Sequence, residues 1–296
     1  MAGWLSLLTG VITAVMLVCN GKLSAVTGMQ SATVVIHVVG ILVISAILLL
    51  RRERPFAARQ PWYLYAGGTI GVLTTLMNNL AFGKISLSAI VALGLLGQSL
   101  MGILVDQFGL LGMERHPFRL HKLWGLLLVA AGIVVMMTDF QLLPVLFAFL
   151  PGVLLVVSRS LNARLGARTS VTISTWFNYV VGLTLSLVVW LLLGKTEPLA
   201  TGSMAFSADP TIYLGGALGV CVVLLSNATV TKIPALYVTL FQFVGQVFGG
   251  VALDALLDGA FTKENLLGGT LVAAGLCVNL LLERRAAREN ESCCRL

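Results

Sequence analysis

Charge is what this chain has least of. Only 10% of its 296 residues are charged, and 58% are hydrophobic. Soluble globular domains carry about 25% charged residues. A chain this poor in charge lacks the polar groups to cover a water-facing surface. Mean hydropathy is +0.97, and apolar runs of about 20 residues recur from end to end, so lipid is the expected solvent. The net charge of +7 does not point to nucleic acid, because the basic residues fall in short links between apolar runs. Cysteine is also scarce: Cys19, Cys221, Cys277, Cys293 and Cys294 form no C-x-x-C, and His37, His116 and His121 add no metal-ligand spacing. Neither a disulfide framework nor a metal is expected. There is no phosphate-binding G-x-x-x-x-G-K-[ST] loop and no nucleophile–base set, so neither an ATP-driven pump nor an enzyme is expected, and no cofactor. The first charge is Lys22, so the first apolar run reads as a retained span rather than a cleaved signal.

What is there is a set of apolar segments. Ten helices are expected, at 4–19, 29–50, 62–82, 87–111, 122–138, 142–158, 170–194, 210–231, 235–257 and 265–282. Each is about long enough to cross a hydrocarbon layer of roughly 30 Å. Closed barrels are excluded, because their strands need alternating polarity. Fifteen Lys and Arg residues fall on the side of the N-terminus. Only Lys22, Lys84, Lys195 and Lys263 fall on the other. That bias places both termini in the cytoplasm.

The chain also repeats itself. At an offset of 148, Gly67-Gly68-x-x-Gly71-Val72 recurs as Gly215-Gly216-x-x-Gly219-Val220. Asn79 recurs as Asn227, Lys84 as Lys232, Gln98 as Gln246, and Asp106 as Asp254; 12 of 40 ungapped positions are identical. At an offset of 142, Asn20 matches Asn162 and Gly40 matches Gly182. The expected domains are a first five-helix repeat at 1–140, a second at 141–285 and a cytoplasmic tail at 286–296. Five is odd, so the second repeat must enter from the opposite face. The expected fold is an all-α integral membrane protein, ten transmembrane helices as two inverted-topology repeats, a design used by secondary transporters.

Polar residues inside the apolar runs are the candidate site. Gln98 and Gln246 each follow a glycine near mid-span. A buried amide is costly to leave unpaired in lipid, so each either meets a solute or ties two helices. Asn79 and Asn227 carry the same two readings. Asn178 and Trp176 make the seventh span more polar than the second and are candidate solute contacts. Asp106 and Asp254 lie eight residues beyond the glutamines, about 12 Å further along the helix. A structural or gating role is favoured for both over coupling to a proton or a sodium ion. Lys84 and Lys232 lie in tight links, where snorkelling explains them and an electropositive mouth is the alternative. Asn20 and Asn162 read as C-caps of the first and sixth helices, and His37 as a packed, hydrogen-bonded histidine.

The Gly67-Gly68-x-x-Gly71 run, Asn79, Gly97-Gln98-x7-Asp106 and Phe108-Gly109-Leu110-Leu111-Gly112 resemble the YdcZ-type family of bacterial inner-membrane proteins. That family is a branch of the drug/metabolite transporter superfamily. Many of its members are single five-helix units, and this chain resembles a fused tandem of two that functions as one chain. The resemblance implies a central cavity lined by helices 1–4 and 6–9. It implies a location in the bacterial inner membrane and a small-molecule substrate, but it names none. Few acids and the lysines near the mouths lean toward an anionic or neutral solute, such as a small carboxylate. The alternatives are an exporter of lipophilic cations and a non-transporting scaffold.

Overall fold

The computed structural model describes residues 2–56, 59–108, 110, 127–128, 130–132, 134–135, 141–194, 209–230, 235–257, 267–271, 273–275, 277–278 and 281. The side chains of Asp106, Asn227 and Asp254 lie outside the described ones, as does all of Lys232. Eight α-helices are described over their length. They are α1 (Ala2–Thr27), α2 (Met29–Leu50), α3 (Gly67–Ala81), α4 (Leu87–Phe108), α5 (Leu142–Arg168), α6 (Val171–Leu193), α7 (Gly215–Val230) and α8 (Ala235–Leu257). Helical backbone also appears within the fifth and tenth expected spans. Among the described residues there is no strand, only an isolated bridge between Phe82 and Ile85.

Five described helices are long and apolar enough to cross a membrane. α3 and α7 are too short alone, and each is preceded by a 3₁₀ segment, Trp62–Ala66 and Pro210–Leu214. Five residues at about 2.0 Å and fifteen at about 1.5 Å give roughly 32 Å, which restores a full crossing. Large apolar side chains such as Leu42, Leu50, Leu191 and Leu192 are exposed, as lipid-facing surfaces require.

Two helices run past the ends expected from hydropathy. α1 continues to Thr27 and α5 to Arg168. Asn20 and Asn162 are therefore helix-interior residues, not C-caps. Their asparagine and basic neighbours mark where the apolar run ends, but the helical hydrogen bonds continue. Gly28, at φ 90°, is the one-residue joint between α1 and α2. Gly83, at φ 75°, turns the link from α3 to α4. Both conformations are strained for any residue with a Cβ.

The helices interlock across the two halves. α3 packs on α5 and α6, and α7 packs on α1 and α2; α4 packs on α5, α8 on α1, and α2 on α6. Among the described helices, each of these contacts between halves has a counterpart with the roles exchanged. The side chains repeat it. Leu64 of the first 3₁₀ segment packs on Leu165, and Ile212 of the second packs near Leu23. Without a hydrophobic driving force between helices in lipid, close backbone approach supplies the attraction. A Cβ at Gly152 would overlap the Gly94 carbonyl, and one at Gly10 would overlap the Gln242 carbonyl. The largest apolar cluster joins α4 to α5 and α8, through Ile90, Leu93, Ala148, Phe243 and Val247.

Candidate functional site

The helices that interlock do not close completely on one another. A cavity of about 140 Å³ lies among α1, α3, α4, α5 and α8. That is close to the roughly 150 Å³ of an engineered apolar cavity that holds benzene, but here amides and hydroxyls share the walls with Leu17, Ile90, Val91 and Leu155.

Helical spacing explains who faces it. α1 contributes Thr13, Met16, Leu17 and Asn20, at i, i+3, i+4 and i+7, which is one face of a helix. α3 contributes Thr74, Thr75, Asn78 and Asn79 from its last two turns. α4 adds Gly94 and Gln98, α5 adds Pro151, Gly152 and Leu155, and α8 adds Gln246. Pro151 lies inside α5 and cannot donate to the preceding turn, so the backbone is weakened where it meets the cavity.

The polar atoms divide into spent and unspent groups. Thr74 and Thr75 both donate to the Gly71 carbonyl, at 2.8 and 3.0 Å, and Thr13 donates to Thr9 at 2.8 Å. Their hydrogens serve the helix, so only hydroxyl oxygens remain as acceptors. Gln98 Nε2 reaches the Gly94 carbonyl at a long 3.4 Å, and its Oε1 accepts from Arg159 Nη1 at 3.2 Å. Gln246 is 6% exposed. Asn20 Oδ1 and Asn79 Nδ2 are buried with no hydrogen-bond partner. Stranded amide atoms at a cavity wall are where a bound molecule gains most, since leaving each unpaired costs about 1–3 kcal/mol.

Gln98, Gln246 and Asn79, expected as a site from the repeat, thus meet at one cavity. Asn178 and Trp176 do not line it. Asn178 Oδ1 accepts from Asn162 at 3.0 Å, and Trp176 Nε1 donates to Ser45 at 3.0 Å. These bonds tie α6 to α5 and α2. Lys84 is exposed in the α3–α4 link. Asn227, Asp106, Asp254 and Lys232 were expected to be functional on side chains that lie outside the described ones. His37 is buried, with Nδ1 2.8 Å from the Thr33 carbonyl and 3.2 Å from Ser186 Oγ.

Three residues escaped the sequence reading. Thr13 lines the cavity but has no identical counterpart in the other half. Gln242, 5% exposed, donates to Ser226 at 2.8 Å and ties α8 to α7. Arg159, counted as a loop charge, lies within α5 and points at Gln98. Its signal was the run Gly152, Leu155, Arg159, Asn162 at helical spacing.

A family model described as "Putative inner membrane exporter, YdcZ" matches residues 1–135 and again residues 143–278. The chain belongs to this family. It carries the YdcZ unit twice, in tandem, and is a protein of the inner-membrane exporter type. A solved structure described as "Crystal structure of protein" covers 96% of this chain and 97% of its own, with a TM-score of 0.66 and 20% identity. At that identity the likeness concerns the fold alone. No curated protein matches the sequence.

Proposed function

We propose that this YdcZ-type chain is a secondary transporter, exporting a small anionic or neutral organic solute by alternating access. The observation that carries the reading is the cavity walled by helices of both halves, with side-chain amides among its apolar lining. Two halves that share one site can expose it to either side by rocking against each other. A scaffold has no need of unpaired amides at its centre, and a dry interface would pack better.

In this reading, 1–140 and 141–285 are repeats of inverted topology, both termini are cytoplasmic and 286–296 form a cytoplasmic tail. The exchanged contacts between the halves support it, and so does the odd number of spans in each. Gln98, Gln246 and Asn79 bind the solute. Asp106 and Asp254 gate the cavity or couple it to a proton or sodium gradient, and Lys84 and Lys232 stand at the mouths.

Reconstitution into proteoliposomes tests it. Solute flux should depend on an imposed proton or sodium gradient, and Gln98→Ala and Gln246→Ala should abolish solute-dependent thermal stabilisation while leaving folding intact. Binding that survives both substitutions would place the site elsewhere. Orientation is checked by a single cysteine at Lys84, which an impermeant maleimide should label from outside intact cells.

A further inference from the structure

Arg159 is the charged group that the cavity residues leave unexplained. It lies nine residues before the end of an unbroken α5. It stands one turn beyond Leu155, which lines the cavity, and so continues the same face. An arginine near a helix end ordinarily snorkels outward to water. Here the guanidinium turns inward, to the amide of the twelfth of the 22 residues of α4, Gln98.

It is poorly matched there. A guanidinium has five N–H donors; among the described side chains its hydrogen-bond acceptor is Gln98 Oε1, a neutral amide, and none of them is a carboxylate paired to it. α1, α3 and α5 contain no Asp or Glu. Asp106 follows Gln98 by eight residues on α4, and its side chain lies outside the described ones. A cation held at membrane depth with a neutral partner marks a place where a counter-charge belongs. A second, independent feature points the same way: Asn79 Nδ2, a buried donor on the cavity wall, has no acceptor.

The two halves differ at this position. Under the offset of 142, Arg159 matches Leu17, which lines the cavity from α1 beside Met16. Arg159 stands behind a lining amide, Gln98, whereas Leu17 and Met16 line the wall themselves.

We infer that the cavity selects a small monoanion with an apolar body. Arg159, Gln98 and Asn79 take the anionic group, and Leu17 and Met16 take the body. This deepens the transport reading and rests on the cavity being the solute site. A volume of about 140 Å³ admits a body of about one six-membered ring.

The test uses the full chain in nanodiscs of zwitterionic lipid, which removes anionic headgroups as competitors. Benzoate, benzamide and benzylamine serve as probes of one shape and three charges. Benzoate should bind at least tenfold tighter than benzamide, and benzylamine should not bind. Arg159→Leu should lose that preference, and Arg159→Lys should keep part of it. Equal binding of benzoate and benzamide to the wild type overturns the inference, as does failure of benzoate to bind or an unchanged benzoate affinity in Arg159→Leu. If Arg159→Leu does not fold, the wild-type ratio and Arg159→Lys decide. Binding without charge preference that still needs Gln98 and Gln246 sinks the anion inference and leaves the transport reading standing. Arg159-dependent benzoate binding with no flux in proteoliposomes does the reverse.

Discussion

Asn20 and Asn162 occupy matching positions in the two halves, and one substitution made at both separates a solute-binding asparagine from a structural one. Each presses its side-chain amide against a glycine of the facing helix, Gly215 and Gly67. Asn162 Nδ2 donates to Asn178 Oδ1 at 3.0 Å and, weakly, to Ser158 Oγ at 3.5 Å. Asn20 lines the cavity, and its Oδ1, pressed against Gly215, has no hydrogen-bond partner. Replacing each with alanine removes the same volume against the same kind of neighbour, so the packing cost largely cancels in the difference. What remains is polar. Asn162→Ala loses an interhelical hydrogen bond, worth about 0.6 kcal/mol on average in a membrane protein. It also strands Asn178 Oδ1, at about 1–3 kcal/mol if no water reaches it. Asn20→Ala loses no bond to Oδ1 and removes an unpaired acceptor. Asn162→Ala should therefore be less stable than Asn20→Ala by about 1–3 kcal/mol, read by SDS-induced unfolding in mixed micelles with circular dichroism. The solute response should run the other way, lost in Asn20→Ala and kept in Asn162→Ala. Equal destabilisation, or a larger cost at Asn20, would refute the division of the cavity wall into spent and unspent amides.

Three further substitutions probe the packing and the edges. Gly152→Val drives a side chain into the Gly94 carbonyl, where only backbone can yield. It should cost at least the 1–3 kcal/mol typical of overpacking or abolish folding, while Gly102→Ala, with open space around its Cβ, should be neutral or slightly stabilising by the same unfolding assay. Trp176→Phe removes the bond to Ser45 and should lower stability by about 0.6 kcal/mol, with solute affinity unchanged in the thermal-shift assay. At the start of the second 3₁₀ segment, the hydroxyl and then the amide of Thr211 donate to the Asp209 carboxylate and hold its pKa below the usual range. A lowered folded pKa means the turn is supported above about pH 4, and that support is lost as pH falls through the folded value. Hydrogen exchange at the Thr211 amide should accelerate on acidification in the wild type and be already fast, without that pH dependence, in Asp209→Ala.

The crossings were legible because lipid imposes one rule on every segment. A helix that must span hydrocarbon announces itself by length and apolarity, and α2, α4, α6 and α8 fall close to where hydropathy puts them. The cavity glutamines were legible because the repeat singled them out: identity between halves at mid-span kept Gln98 and Gln246 in view. Hydropathy fails where the helix outlasts the lipid. α1 and α5 carry on past Asn20 and Asn162, and nothing in a window average distinguishes a chain that leaves the membrane from one that stays helical at its edge. It fails again where polarity is spent between helices. Trp176 and Asn178 look from sequence like solute ligands, yet both bond to neighbouring helices, and only the packing decides which way a polar side chain on α6 turns.

Arg159 shows the deeper reason. The positive-inside rule reads an arginine as a marker of side, which requires that it sit in a loop or snorkel to one. That assumption uses the charge up before any question of binding arises. In the folded chain the same residue follows Leu155 by one turn and donates to Gln98, an amide that lines the cavity. The repeat obscured it as well. Self-comparison rewards positions that agree, and Arg159 faces Leu17 across the offset. A symmetric pair of halves would offer a symmetric site, suited to a solute that presents the same chemistry at both ends. Fusion of the halves into one chain lifts that constraint, because each copy can change alone. The selective part of this cavity is then expected at the positions where the repeat disagrees, Arg159 against Leu17 and Thr13 against Leu155, and its symmetric glutamines supply the frame in which those differences act.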